Sequence, residues 1–312
     1  MCGSTTSTST SSGESRVMKN IQLLIVMPVA GILGVLGVLG LLGVLAGCAS
    51  EPYDPNGGGV GGGSGGHGNP GWVLIWQEEF SGSAGSAIDA TRWAFDTGGH
   101  GFGNQQLEYN TDRTDNVRLD GQGHLEIVAR EESYGGNSYT SGRVKTQGKF
   151  VTRYGKIEAR IKLPIGQGLW PAFWMLGADF PTVGWPRCGE IDIMEYRGQA
   201  PSQVHGAMHG PGYSGATPFH GSYSLGGATF HDGFHTFAVE WTPDRIIWLV
   251  DGNSFMSHDV GDLSSGMEWV FDHEFFILLN VAVGGTYVGD PDGSTEFPQT
   301  MVVDYVRVYA ME

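Results

Sequence analysis

Lys156-Ile157-Glu158-Ala159-Arg160-Ile161-Lys162-Leu163 alternates charged and apolar side chains at every step. A period of two places Ile157, Ala159, Ile161 and Leu163 on one face and the charges on the other. That is the pattern of a half-buried β-strand. It recurs on both sides. Leu125 to Arg130 alternates upstream. Phe237–Trp241 and Ile246–Val250 flank Thr242-Pro243-Asp244-Arg245, which reads as a hairpin closed by a Pro-Asp turn. Phe275 to Val283 is almost continuously apolar, and Met301 to Tyr309 alternates again. No long stretch of this region has helical periodicity. The expectation is an all-β sandwich of two sheets in one domain of about 240 residues.

Composition points the same way. The 312 residues include 52 Gly, nine Trp, eleven Tyr and fifteen Phe, with only 16% charged. Such a chain suits strands and tight turns over a helical bundle. Seventeen basic against 33 acidic residues give a net charge of -16. That excludes a nucleic-acid partner held by phosphate neutralisation. Three cysteines exclude a disulfide-dense scaffold. Only Cys188 lies in the strand-rich region, so no disulfide is expected there.

The first seventy residues read differently. Residues 1–16 are rich in Ser and Thr, and Lys19 precedes a run from Asn20 to Ser50 without a charge. A positive start, an apolar stretch and small residues before a cut site make a secretory signal. Its ending, Leu45-Ala46-Gly47-Cys48, resembles a bacterial lipobox, which implies a lipid anchor on Cys48. Ala49 is then compatible with sorting to an outer membrane. A single transmembrane helix is the alternative, because the run is long enough to span. Either reading sends the rest of the chain out of the cytoplasm. Residues 57–68 hold nine Gly in twelve, a flexible tether. The chain thus divides into an N-terminal extension and signal (1–48), a Gly-rich linker (49–71) and a folded domain (72–312). Beyond Cys48 the net charge is -17, which suits a neutral substrate.

The chemistry concentrates in Gly189-Glu190-Ile191-Asp192-Ile193-Met194-Glu195-Tyr196, with three carboxylates in six residues. Glu190 and Asp192 share a strand face, with Ile191 pointing into the core. Glu195 falls on the opposite face of a regular strand, and one extra residue near Ile193 or Met194 restores it. Three acids on one face repel, and repulsion keeps one of them protonated. Glycoside hydrolysis needs such a set: one carboxylate to attack and one carboxylic acid to protonate the leaving oxygen. A solvated strand face and a Ca²⁺ site are the competing readings. Trp170-Pro171-Ala172-Phe173-Trp174 and Trp185 lie just upstream. Indole faces stack on sugar rings, whereas Trp241 or Trp248 is expected in the core. The Gly-rich tract Tyr213–His231 reads as a mobile lid or a surface loop.

Gly189–Glu195 resembles the active-site motif of glycoside hydrolase family 16, and of its laminarinase-like members. The resemblance runs through Ile75-Trp76-Gln77-Glu78-Glu79-Phe80, Asn104–Tyr109, Tyr154–Arg160, Leu169–Trp174, His205–Gly210, Asn280–Gly285 and Val303–Tyr309, in that order. It implies a β-jelly roll with a concave sugar cleft. It makes Glu190 the nucleophile, Glu195 the acid/base and Asp192 the helper between them. Met194 is the extra residue that laminarinase-like members carry, which favours β-1,3-linkages, with mixed β-1,3/1,4-glucan as a second substrate. Trp170, Trp174 and Trp185 match sugar-stacking aromatics. Asn104 and Arg143 match donor-side polar positions, and His209 a histidine near the acid/base. Glu79, the backbone carbonyl of Gly121 and Asp304 match a structural Ca²⁺ site, while catalysis itself needs no cofactor. Cys188, with no adjoining His or Lys, reads as a passive side chain. The expected protein is an exported, lipid-anchored, monomeric, retaining endo-β-1,3-glucanase. The alternatives are an agarase- or carrageenase-type galactan hydrolase, a transglycosylase and a non-catalytic glucan-binding protein.

Overall fold

The computed structural model describes residues 71–312. The signal segment, Cys48 and the Gly-rich tether lie outside them. Two sheets form the described region, one of ten strands and one of seven. The ten-stranded sheet runs Asn253–Asp259, Arg245–Val250, His235–Trp241, Gly155–Lys162, Gln299–Met311, Leu125–Tyr134, Asn137–Ser141 and Glu108–Asn110. Trp72–Glu78 also pairs with Gln299–Met311, and Val117–Leu119 with Leu125–Tyr134. The seven-stranded sheet runs Phe219–Ser224, Gln203–His209, Glu190–Tyr196, Leu169–Gly177, Phe275–Val283, Arg143–Lys145 and Ala94–Phe95. Pairing is antiparallel except where Glu108–Asn110 meets Asn137–Ser141.

The period-two stretches fall where alternation places them. Ile157, Ala159 and Ile161 are fully buried, and the Thr242–Arg245 turn joins two paired strands. Inward residues of both sheets share one core, because a sheet with one apolar face must bury it against another. Trp93, Trp241 and Trp248 are its largest side chains. Each indole N–H there has an acceptor. Trp241 donates to the Phe271 carbonyl at 3.0 Å and Trp248 to the Asp192 carbonyl at 2.8 Å. The Tyr213–His231 tract is only partly a loop. Its centre, Phe219–Ser224, is the edge strand of the seven-stranded sheet. Glycine-rich composition concealed the hydrogen bonds it makes to Gln203–His209.

The seven-stranded sheet also buries residues on its outer face. Ala172, Trp174, Leu176, Phe276 and Leu278 cluster there, and Cys188 joins them. Burial pushes the Cys188 thiol up to about 12, so it is an inert filler, as its surroundings in sequence indicate.

Candidate active site

Glu190–Tyr196 lies in the interior of the seven-stranded sheet, between Leu169–Gly177 and Gln203–His209. Its pairing slips once on each side. Asp192 faces Ala207 and Glu195 faces His205, so Ile193 and Met194 together oppose the single residue Gly206. Two residues against one is a β-bulge. Ile191, Ile193 and Met194 all point into the core. Glu190, Asp192 and Glu195 therefore share the outer face, the arrangement that the spacing required.

Each glutamate has an indole donor. Trp185 Nε1 donates to Glu190 Oε2 at 2.5 Å, and Trp170 Nε1 donates to Glu195 Oε1 at 3.0 Å. Asp192 sits deepest, 3% exposed. Burial and mutual repulsion raise all three carboxyls. Glu190 is pushed up to about 8 by burial first and Asp192 second. Glu195 is pushed up to about 7 by burial and then Glu190. Asp192 is raised well above the carboxylate range by burial and then Glu195. Such a set titrates as a unit and retains protons near neutrality.

His209 stands opposite Glu190 in the neighbouring strand, with Nε2 3.1 Å from Asp192 Oδ2. Asp192 Oδ2 and His209 Nδ1 are buried without hydrogen-bond partners. The His209 charge acts on Glu195, and His205 is a second histidine there, paired across from Glu195 in the neighbouring strand. Burial holds His205 down at about 4, so it is neutral. Glu190, Asp192 and His209 also stand close enough to ligate a cation. Each glutamate instead has an indole N–H partner, which fixes its orientation on the shared face.

The residues of a known family fit this arrangement. A family model, glycosyl hydrolases family 16, matches residues 102–305. The chain belongs to that family. A relative, a beta-glucanase of Rhodothermus marinus, is 43% identical over 77% of this chain and 86% of its own length. The laminarinase catalytic domain of Thermotoga maritima is 47% identical with a TM-score of 0.73, over 77% of this chain and 99% of that one. The catalytic domain of an endo-1,3-beta-glucanase of Thermotoga petrophila is 46% identical with a TM-score of 0.74, over 78% and 100%. The two-sheet sandwich is the family 16 jelly roll.

Other positions assigned by the family 16 resemblance fare unequally. Trp185 is 44% exposed and Trp170 half-buried, so both keep ring surface open. Trp174 does not. It is 9% exposed, donates to Asn280 Oδ1 at 2.8 Å, and carries the Arg143 guanidinium 4.8 Å from its ring centre. It props Arg143 with one face and leaves little ring surface open beside the acids. Arg143 lies between the Trp174 and Phe102 rings, with Nε 3.2 Å from Asp96 Oδ2, and its charge acts on Glu190. Asn104 is exposed, and its backbone bonds Gly101 and Thr286.

Glu79 and Asp304 already have cationic partners. Arg307 donates to both Glu79 oxygens at 2.8 and 3.0 Å, and Arg160 Nη1 lies 2.5 Å from Asp304 Oδ2. Gly121 turns the chain between Val117–Leu119 and Leu125–Tyr134 at φ +82°. Both carboxylates have an arginine partner here, Asp304 through Oδ2 alone, and no step below passes through a Ca²⁺ ion.

A group absent from the sequence reading lies beside Glu195. The Arg197 guanidinium stacks 4.0 Å from the Tyr287 ring, and Tyr287 leans on Trp170 at 4.9 Å. His205 meets Tyr287 edge-on at 6.2 Å. Arg197 Nε and His205 Nε2 are buried without hydrogen-bond partners. Only the pairing of distant strands and loops brings these three together, which no local pattern announces.

Proposed function

We propose that this chain hydrolyses β-1,3-glucan at internal linkages with retention of configuration. One observation carries the chemistry: the bulge sets Glu190, Asp192 and Glu195 on one face, with an indole N–H on each glutamate. Ionised Glu190 attacks the anomeric carbon. The glycosidic C–O bond breaks, and its oxygen takes the proton of Glu195. Water then gives a proton to Glu195 and its oxygen to the anomeric carbon, releasing Glu190. Asp192 shares the cluster's charge and restrains Glu190. The raised carboxyls suit the acid role, since a general acid works best near the operating pH.

The substrate reading is supported by the glucanase and laminarinase names of the similar proteins and by the acidic domain, which suits a neutral polymer. Trp170 and Trp185 offer ring faces to glucose units. The unpartnered Arg197 and His205 nitrogens would bind sugar hydroxyls on the Glu195 side. Export and a lipid anchor at Cys48 complete the proposal, with the tether giving the catalytic domain reach from a membrane. Mass analysis of the mature N-terminus tests that part: a diacylglyceryl-modified Cys48 supports it, and an uncleaved segment contradicts it.

The function is tested by incubating the protein separately with laminarin, lichenan, agarose and κ-carrageenan. A ladder of short β-1,3-glucans is expected. Products from a galactan alone would overturn the substrate and leave the acids in place. Oligosaccharides longer than the starting chains, formed with added acceptor, would make it a transglycosylase.

A further inference from the structure

We propose that Trp248 is a positioning residue for catalysis, holding the bulge that carries Glu195 onto the face of Glu190. The proposal rests on the catalytic reading above. Trp248 belongs to Arg245–Val250, in the sheet opposite the acids. It is fully buried, and its Nε1 crosses the core to donate to the Asp192 carbonyl at 2.8 Å. Asp192 is the last residue before the pairing slips. The donor therefore acts where the ladder is interrupted, and where a strand is least fixed by its neighbours.

Gly206 makes the contact geometrically open. It is the single residue opposed by Ile193 and Met194. A Cβ there would stand 2.6 Å from Trp248 Cδ1 and 3.0 Å from Nε1. The indole thus occupies the side-chain space that Gly206 leaves empty. Asp192 carbonyl, Gly206 and Trp248 form one device: a bulge, a gap opposite it and a hydrogen-bonding ring that fills the gap from the other sheet. If the ring moves, the bulge is free to relax, and Glu195 shifts relative to Glu190.

Trp241 is the internal control. It is equally buried in the same sheet, and its indole also donates to a carbonyl, that of Phe271. Trp248→Phe and Trp241→Phe each remove one buried N–H and keep an aromatic ring. Both are expected to lower Tm by similar amounts. Trp248→Phe alone is expected to reduce kcat on laminarin by about 10- to 100-fold with KM little changed, as small misplacements of catalytic groups do. Gly206→Ala, which pushes the indole aside, is expected to share that split.

A second readout needs no substrate. Titration of the Glu195 carboxyl by ¹³C NMR is expected to shift in Trp248→Phe and stay put in Trp241→Phe. Equal kcat and equal titrations for the two Trp variants would overturn the proposal. A wild-type protein without glucanase activity, but with a Glu195 titration displaced only by Trp248→Phe, would overturn the substrate and keep the positioning role.

Discussion

Two strands flank Leu169–Gly177, and they solve opposite problems. Phe275–Val283 pairs with it residue for residue across nine positions, without a slip, and all nine are buried. Glu190–Tyr196 pairs on the other side and slips once. The first is a strand committed to stability: apolar side chains on both faces, with Asn280 satisfied by Trp174. The second trades regular pairing for a parity change that no straight strand supplies. Function in this sheet comes from one extra residue, and the regular neighbour keeps the irregular one in place.

The comparison breaks most visibly at the acids. Glu190→Gln is expected to reduce turnover of laminarin by more than ~10⁴-fold, beyond what a single acid–base group supplies. Steady-state kinetics with circular dichroism checks that the fold survives. Deleting Met194 is expected to do nearly as much, because parity then turns Glu195 toward the core. Losing acid–base help costs ~10²–10⁴-fold, and here a buried unpaired carboxyl adds a loss of Tm. A Met194 deletion that retains a tenth of wild-type activity would dismiss the bulge as the organising feature.

Protonation sharpens the contrast more gently. Activity needs one proton shared by the Glu190–Glu195 pair, which titrates as a unit, so kcat/KM is expected to fall as pH rises past about 8, where the last proton leaves. Stability carries the same sign. The folded carboxyls hold protons that the unfolded chain has released, so Tm is expected to fall as pH rises from the ordinary carboxylate range to about 8. Glu195→Gln is expected to flatten that slope and to raise Tm at the alkaline end. The regular strand gives the smallest effect. Ile277→Val, fully buried there, is expected to cost about 0.5–1.5 kcal/mol and leave the pH profile unchanged. A shifted profile in that variant would show that the two strands are not separable.

Legibility followed the range of the interaction. Alternation in Lys156–Leu163 and the spacing of Glu190, Asp192 and Glu195 depend on neighbours along one strand, so both were readable, the bulge included. Trp170 and Trp185 were readable as site residues, but their hydrogen bonds to the glutamates were not. The contacts of Trp174 with Arg143 and Asn280 were not readable, because they are set by strand order. His205, Arg197 and Tyr287 gave no signal as site residues, and Trp248 was readable only as core. Arg197 and Trp248 act through contacts with distant segments and His205 through its register with Glu195, and register across a sandwich is a tertiary fact. The Phe219–Ser224 strand was hidden for the opposite reason: its backbone bonds outweigh a poor local propensity.

The identity of the nucleophile is testable by direct trapping. A 2-deoxy-2-fluoro β-1,3-linked glucosyl fluoride slows breakdown of a covalent glycosyl-enzyme enough for peptide mass spectrometry. The mass of one glycosyl unit is expected on Glu190. Label on Asp192 or Glu195, or inactivation without label, would contradict a nucleophile presented by the bulged strand.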